Sequence, residues 1–197
     1  MEARLIVFDK AYFDWFEKNI QDPGIHFGIA DALHKTFPDN FPVLEVGCGR
    51  GYLTQHLHSL YGGRVVGVDI SEYAIENPIA EGLLLYRDDI SQEMVRAPDY
   101  RRYPLVLSWQ LLEHMTGEIA ADLAIENMSR LSSFIQVHSI ALERGDDPTH
   151  YMIRPREWWI SMFARHGWHV DPLLLWFFNM NMKTGPNPEI FVLRKGE

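Results

Sequence analysis

The chain has 197 residues, 27 acidic against 18 basic side chains, a net charge of −9 and one cysteine. Phosphate backbones attract clustered Lys and Arg, so this balance argues against a nucleic-acid partner. No run of eighteen apolar residues is available to cross a bilayer, and the lone Cys48 cannot close an internal disulfide, which agrees with a reducing compartment.

An apolar fraction of 47% with 23% charged residues is that of an ordinary soluble protein with one hydrophobic core. The N-terminal stretch Met1 to Lys10 has only three consecutive apolar residues, Ile6 to Phe8, and no small-residue cleavage pattern. A cytoplasmic protein without a signal peptide is therefore expected. Repeats, low-complexity tracts and linkers are lacking, which predicts a single domain over 1–197, with a helical lid segment over 1–40 and a core over 41–197.

In chain order, Tyr12 to Asn19 and Phe27 to Lys35 read as short amphipathic helices. From Pro42 onward, apolar runs alternate with helix-like sequence: Val43 to Val46, Arg64 to Val68, Gly82 to Tyr86, Leu105 to Ser108 and Phe134 to His138 read as strands. Strands alternating with helices imply a parallel sheet covered on both faces. After a helix over Pro155 to His166 come two apolar runs, Trp168 to Phe178 and Glu189 to Leu193, separated by Lys-Thr-Gly-Pro-Asn-Pro. A connection that short cannot cross over, so an antiparallel C-terminal hairpin is expected. The fold class is thus α/β, a Rossmann-like doubly wound seven-stranded sheet, mostly parallel, with its last strand reversed.

The strongest chemical signal is Val43-Leu44-Glu45-Val46-Gly47-Cys48-Gly49-Arg50-Gly51-Tyr52, an apolar strand entering a glycine loop that opens a helix. Glycine permits a tight turn and close approach of a ligand, and the helix start offers unpaired N–H groups. Farther along, Val65-Val66-Gly67-Val68 ends on Asp69, where a carboxylate is placed to accept hydrogen bonds from ribose hydroxyls. Tyr52 stands where a dinucleotide fingerprint requires its third glycine, which counts against a nicotinamide-dependent oxidoreductase.

With this Glu-x-Gly-x-Gly-x-Gly spacing, and with Leu111-Leu112-Glu113-His114 after the fourth strand, the sequence resembles the class I S-adenosylmethionine-dependent methyltransferases over about Phe41 to His114. The resemblance implies S-adenosylmethionine as cofactor. Its methionine part would lie against the loop of Glu45, Gly47, Cys48, Gly49 and Gly51, its ribose on Asp69 and its adenine amino group on Asp89, with Asp88 in competition. Ile70, Ile90, Trp109 and Glu113 complete the implied cofactor-binding set. Pro104 stands where the family often has an Asp, a departure that weakens the match at the fourth strand.

Methyl transfer needs the reactants positioned, and a base only where the nucleophile carries a proton. The candidates are His114, in the Glu-His turn, and His150, in the polar loop Glu143 to Tyr151; the alternative for His114 is packing against the cofactor, and for His150 a solvated loop position. Asp89, taken by itself, has a helix cap as its alternative reading. Arg154 and Arg156 at a helix start suit an anionic acceptor, or are ordinary surface charges. Tyr12, Phe13, Trp15 and Phe16 form a lid over the cofactor or simply pack in the core. Leu173 to Phe178 reads as a buried strand, otherwise as a dimer surface. Cys48 has no base spaced to activate it, and His56 and His58 have no third ligand. No acidic triad suggests a metal.

The expected activity is methyl transfer to an oxygen, less readily a nitrogen, of a small polar acceptor such as a sugar or natural-product-like metabolite, by a monomer or homodimer. A non-catalytic cofactor- or partner-binding domain of the same fold is the alternative.

Overall fold

The computed structural model describes residues 8–19, 23–38, 41–92, 102–183 and 187–196. Two helices, α1 (Lys10–Asn19) and α2 (Pro23–Thr36), precede a sheet whose first strands are β1 (Val43–Val46), β2 (Val65–Asp69) and β3 (Leu84–Arg87). Helices α3 (Tyr52–Leu60) and α4 (Glu72–Glu76) connect them. Then follow β4 (Tyr103–Trp109), α5 (Glu118–Leu131), β5 (Ser132–Ser139), α6 (Arg156–Arg165), β6 (Trp168–Val170), α7 (Pro172–Met182) and β7 (Ile190–Lys195). The sheet order is β3-β2-β1-β4-β5-β7-β6. All pairings are parallel except the two made by β7, which runs against both β5 and β6. The expected seven strands, with the last reversed, are present.

Alternation along the strands sends side chains to two cores. Leu44, Val46, Val66, Val68 and Val106 pack on one face against Ala121, Ile125 and Met128 of α5 and Trp159, Met162 and Phe163 of α6. Val43, Val65, Leu105, Leu107 and Val137 pack on the other against Ile29 and Leu33 of α2, Leu53 and Leu57 of α3 and Phe178 of α7.

One expectation fails. The run Trp168 to Phe178 is not a single strand: β6 ends at Val170, and Leu173 to Phe178 belongs to α7. The Asp171 carboxylate accepts hydrogen bonds from the Leu173 and Leu174 N–H groups, both at 3.0 Å, and Pro172 occupies the first helical turn. This cap satisfies donors a strand would have paired laterally, and Pro is pre-set for a helix start. The last two strands do pair antiparallel, Trp168 opposite Lys195 and Val170 opposite Leu193, but a helix separates them instead of a tight turn. Nor is the run buried throughout. Phe178 is enclosed, whereas Leu173, Trp176 and Phe177 are at least half exposed.

Gly51 begins α3 at φ +90°, and a Cβ there would come within 2.7 Å of a Leu83 methyl. Gly51→Ala is expected to destabilise the fold by about 1–3 kcal/mol, the cost of a non-glycine residue in that region. Urea unfolding measures it, and an unchanged midpoint would remove the strain argument.

Candidate functional site

The sheet order changes direction between β1 and β4: β2 and β3 lie to one side of β1, β4 and β5 to the other. Loops leaving the two central strands therefore diverge and open a crevice at the strands' carboxyl ends. A cavity of about 1040 Å³ lies there, lined by the loops after β1, β2, β3, β4 and β5 and by α1.

On one side is the glycine loop. Gly47 and Gly49 have φ of +78° and +53°, and a Cβ on Gly47 would stand 2.8 Å from the Leu111 side chain. The loop is held down by Gly47 and Cys48 N–H groups donating to the Val68 carbonyl at 2.7 and 3.1 Å. Asp69 ties it to the next loop: one carboxylate oxygen accepts from the Gly49 N–H and the other from the Ser71 N–H, each at 2.8 Å. Burial raises its pKa while those backbone donors work the other way. The backbone N–H groups of Gly49, Ser71 and Ile70 act on this carboxylate, which offers about four lone-pair sites, so acceptor capacity is left over for a ligand.

Glu45, Gly47, Cys48, Gly49, Asp69, Ile70, Asp88, Asp89, Ile90 and Trp109 all line the cavity, as do His114 and His150. Gly51 and Glu113 lie behind its wall. Gly51 serves the turn into α3, and Glu113 is fully buried. Asp89 acts as a local cap: one oxygen accepts from the Ser91 N–H and hydroxyl at 3.0 and 2.7 Å, the other from the Gln92 amide at 2.8 Å. Asp88 accepts from the Asp89 N–H at 2.8 Å.

Several readings of single residues settle differently from one another. Cys48 is buried and its thiol is pushed well up by burial, so it is no nucleophile. Arg154 and Arg156 do not form an anion site at the cavity. Arg154 donates to Glu118 and lies over the Trp158 ring, while Arg156 donates to the Pro188 and Ile190 carbonyls and lies over Phe191. Tyr12, Phe13 and Phe16 do line the cavity and Trp15 does not. The anchor of α1 is polar as well as aromatic: Glu17 accepts from Arg50 and from the Tyr52 hydroxyl, and the Ser71 hydroxyl donates to the Phe8 carbonyl.

The end opposite the glycine loop holds the second cluster. Gln110 adopts φ +51°, unusual for a side chain other than glycine, and is pinned there by its N–H to the Ser139 carbonyl at 2.9 Å and its amide to the Ser139 hydroxyl at 2.8 Å. That bend starts the one-turn 3-10 helix Leu112–His114. Glu113 accepts from the Ala141 N–H at 3.0 Å, and its carbonyl accepts from the Met152 N–H at 2.8 Å, so the turn after β4 is stitched to the loop after β5. Burial pushes the Glu113 carboxyl up to about 8.

His114 Nδ1 lies 2.6 Å from the Thr149 hydroxyl and 3.2 Å from the Thr149 carbonyl, and the Thr149 hydroxyl donates to Asp147 at 2.5 Å. A hydroxyl already donating to a carboxylate must accept from the ring, which places the proton on Nδ1 and the lone pair on Nε2. Burial lowers the His114 pKa to about 4, so the ring is neutral. The His150 ring stands 5.0 Å from that of His114, nearly perpendicular to it. Asp147, Thr149 and Gln110 went unnoticed in the sequence. Only the Asp-x-Thr turn, in which Asp147 accepts from the Thr149 N–H at 2.8 Å, left a local trace.

Residues 43–132 match the family model of a methyltransferase domain. Among curated proteins, the chain is 35% identical over 81 residues to a mitochondrial arginine-hydroxylase of Rattus norvegicus, which covers 41% of this chain and 23% of that protein. The chain spans 14–23% of the length of this relative and its mouse and human counterparts. Among solved structures it is similar to a sugar N-methyltransferase of Streptoalloteichus, with a TM-score of 0.73 at 14% identity over 100% of this chain and 97% of that one. It is also similar to an S-adenosylmethionine-bound amino pentose methyltransferase of Micromonospora echinaspora, with a TM-score of 0.69 at 14% identity over 99% and 100%. The chain thus carries a methyltransferase domain and has the class I S-adenosylmethionine-dependent methyltransferase fold. Among the described residues, no helix is long and apolar enough to cross a membrane.

Glu45 allows a test of the site's electrostatics. Its carboxyl is buried, accepts from the Thr54 hydroxyl at 2.5 Å and is pushed by burial from 4.5 up to about 8. A raised carboxyl favours folding below its unfolded pKa, and that contribution is lost as the pH climbs from 4.5 through 8. The ligand-free protein should therefore lose thermal stability between pH 5 and pH 8 more steeply than Glu45→Gln, which keeps an acceptor for Thr54. Parallel melting curves for the two proteins would contradict the assignment.

Proposed function

We propose that the protein transfers the methyl group of S-adenosylmethionine to an oxygen, or in second place a nitrogen, of a small polar acceptor. The observation that carries this reading is one cavity with two chemically different ends: a glycine loop with the Asp69 carboxylate at one, His114 and His150 at the other.

The residues present suit the cofactor. The bare glycine backbone leaves room for the methionine part, Asp69 keeps acceptor capacity for a ribose hydroxyl, and the apolar Ile70 and Ile90 line the same cavity where a flat base would lie. Asp89 and Asp88 are the two candidates for the adenine amino group, and both carboxylates also accept local hydrogen bonds. When bound, S-adenosylmethionine supplies a methyl carbon activated by positive sulfur. The chain's own work is positioning and exclusion of water. Phe8, Tyr12 and Phe16 of the N-terminal segment close one side, and Tyr12 reaches the acceptor loop through a 3.4 Å hydrogen bond to Asp147. His114 and His150 are assigned to the acceptor's polar group.

The likeness to sugar and amino pentose methyltransferases supports a small polar acceptor, and the acidic net charge agrees with one that is not a nucleic acid. A cytoplasmic location and a monomeric or homodimeric state complete the reading.

Calorimetric titration with S-adenosylhomocysteine tests the cofactor end. Micromolar binding is expected, weakened in Asp69→Ala by about 1.5–3 kcal/mol, as for hydrogen bonds to a charged group. No binding by the wild-type protein would sink the reading. At the acceptor end, His150→Ala should lower turnover in an acceptor screen with amino and neutral sugars while leaving affinity for S-adenosylhomocysteine near that of the wild type. Loss of cofactor affinity in that variant would put the loop on the wrong side of the reaction.

A further inference from the structure

At the wall of the cavity, Glu113, His114 and His150 each place one potential ligand atom within 4.8 Å of the other two. Two of these side chains carry a polar atom that is buried and has no hydrogen-bond partner, Oε2 of Glu113 and Nδ1 of His150. Glu113 is fully enclosed and His150 is 9% exposed. An unpaired buried polar atom costs about 1–3 kcal/mol, so two of them in one cluster call for an occupant.

The third ligand is already prepared. Thr149 fixes the proton of His114 on Nδ1, leaving the Nε2 lone pair outward, and Thr149 is itself held by Asp147. A ring whose second nitrogen donates to an oxygen is the arrangement that orients metal-bound imidazoles.

We propose that Glu113, His114 and His150 form a binding site for a divalent transition ion, with Zn²⁺ the favoured occupant. Two imidazoles and one carboxylate suit Zn²⁺ and its neighbours, whereas Mg²⁺ and Ca²⁺ prefer oxygen ligands alone. Donors around tetrahedral zinc lie about 3.4 Å apart, so the present spacing closes by at most about 1.4 Å, within reach of small rotamer changes. Three protein ligands leave a position open, and since His114 and His150 line the cavity, that position faces it. A hydroxyl bound there gives its proton to water more readily than a free one. The ion thereby selects an oxygen acceptor over an amine, and for this role alone the inference rests on the proposed methyl transfer; the binding itself does not.

Calorimetric titration of EDTA-treated full-length protein with Zn²⁺, and separately with Mg²⁺, tests it in the absence of cofactor. One Zn²⁺ per chain should bind, with affinity reduced at least about tenfold in both His150→Ala and Glu113→Gln. Mg²⁺ should not compete. His166→Ala removes a histidine paired with Asp122 at 2.9 Å on another part of the surface and should leave binding unchanged. Because Glu113→Gln alters a fully enclosed group and could impair folding, His150→Ala, on the loop after β5 and lining the cavity, is the deciding variant. Cobalt substitution gives a second readout, visible absorption bands of a nitrogen–oxygen site that His150→Ala removes. Absence of Zn²⁺ binding, or binding that survives His150→Ala, overturns the proposal; in that case a direct Glu113–His150 hydrogen bond accounts for the two unpaired atoms. Titration with S-adenosylhomocysteine on the same samples separates the two readings. Cofactor binding without zinc overturns only the metal site, and zinc binding without cofactor overturns only the methyl transfer.

Discussion

β1 hands the chain to β2 on one side while β4 pairs with it on the other, so the two central strands cannot be capped by one continuous loop. Their backbones part at the carboxyl ends, and the side chains that follow them face each other across a gap. The glycine loop after β1 and the turn after β4 form its two walls, in contact where Gly47 meets Leu111. A Cβ at Gly47 would force them apart, so the close approach depends on a residue without a side chain. From that constraint come the cavity, its position under α1 and the sharing of one cavity by the glycine loop and the His114–His150 pair.

The site is also where this protein leaves polar groups in apolar surroundings. Glu45 and Glu113 lie at the root of the two walls, both raised to about 8 by burial. Their partners differ: Glu45 is met by Thr54, whereas Glu113 leaves one oxygen unpaired. Elsewhere a buried polar trio links β4 to β5, although the Gln136 amide nitrogen finds no partner. His138, lowered by burial to about 3, accepts from Ser108 at 2.8 Å and donates to Gln136 at 2.9 Å, with its ring stacked on Phe163.

Helix α1 and the loop after β5 are coupled through few contacts. Tyr12 touches Phe8, Phe13 and Phe16 by its ring and Asp147 by its hydroxyl, and Asp147 in turn holds Thr149 and hence His114. Closing α1 over the cavity and orienting the histidine ring are therefore parts of one hydrogen-bonded chain. This gives the aromatic residues of α1 a role beyond covering apolar surface.

Local signals sufficed for most of the architecture. Apolar runs bounded by turns placed the first five strands and β7 within about two residues; for the central parallel strands the reason is that burial on both faces leaves a continuous apolar trace. The glycine spacing and Asp69 located the cofactor end for the same reason: tight turns and strand ends are set by neighbours in sequence. The cap formed by Asp171 and Pro172 was local too, yet the apolar run from Leu173 to Phe178 outweighed it, since a short apolar run suits strand and helix alike. What only the tertiary structure decided was the acceptor end. Gln110, Glu113 and His114 follow β4, while Asp147, Thr149 and His150 follow β5, and the whole of α5 and β5 lies between the two groups. No periodicity links them; only the pairing of β4 with β5 brings Thr149 to His114 and leaves two buried atoms facing one another without partners.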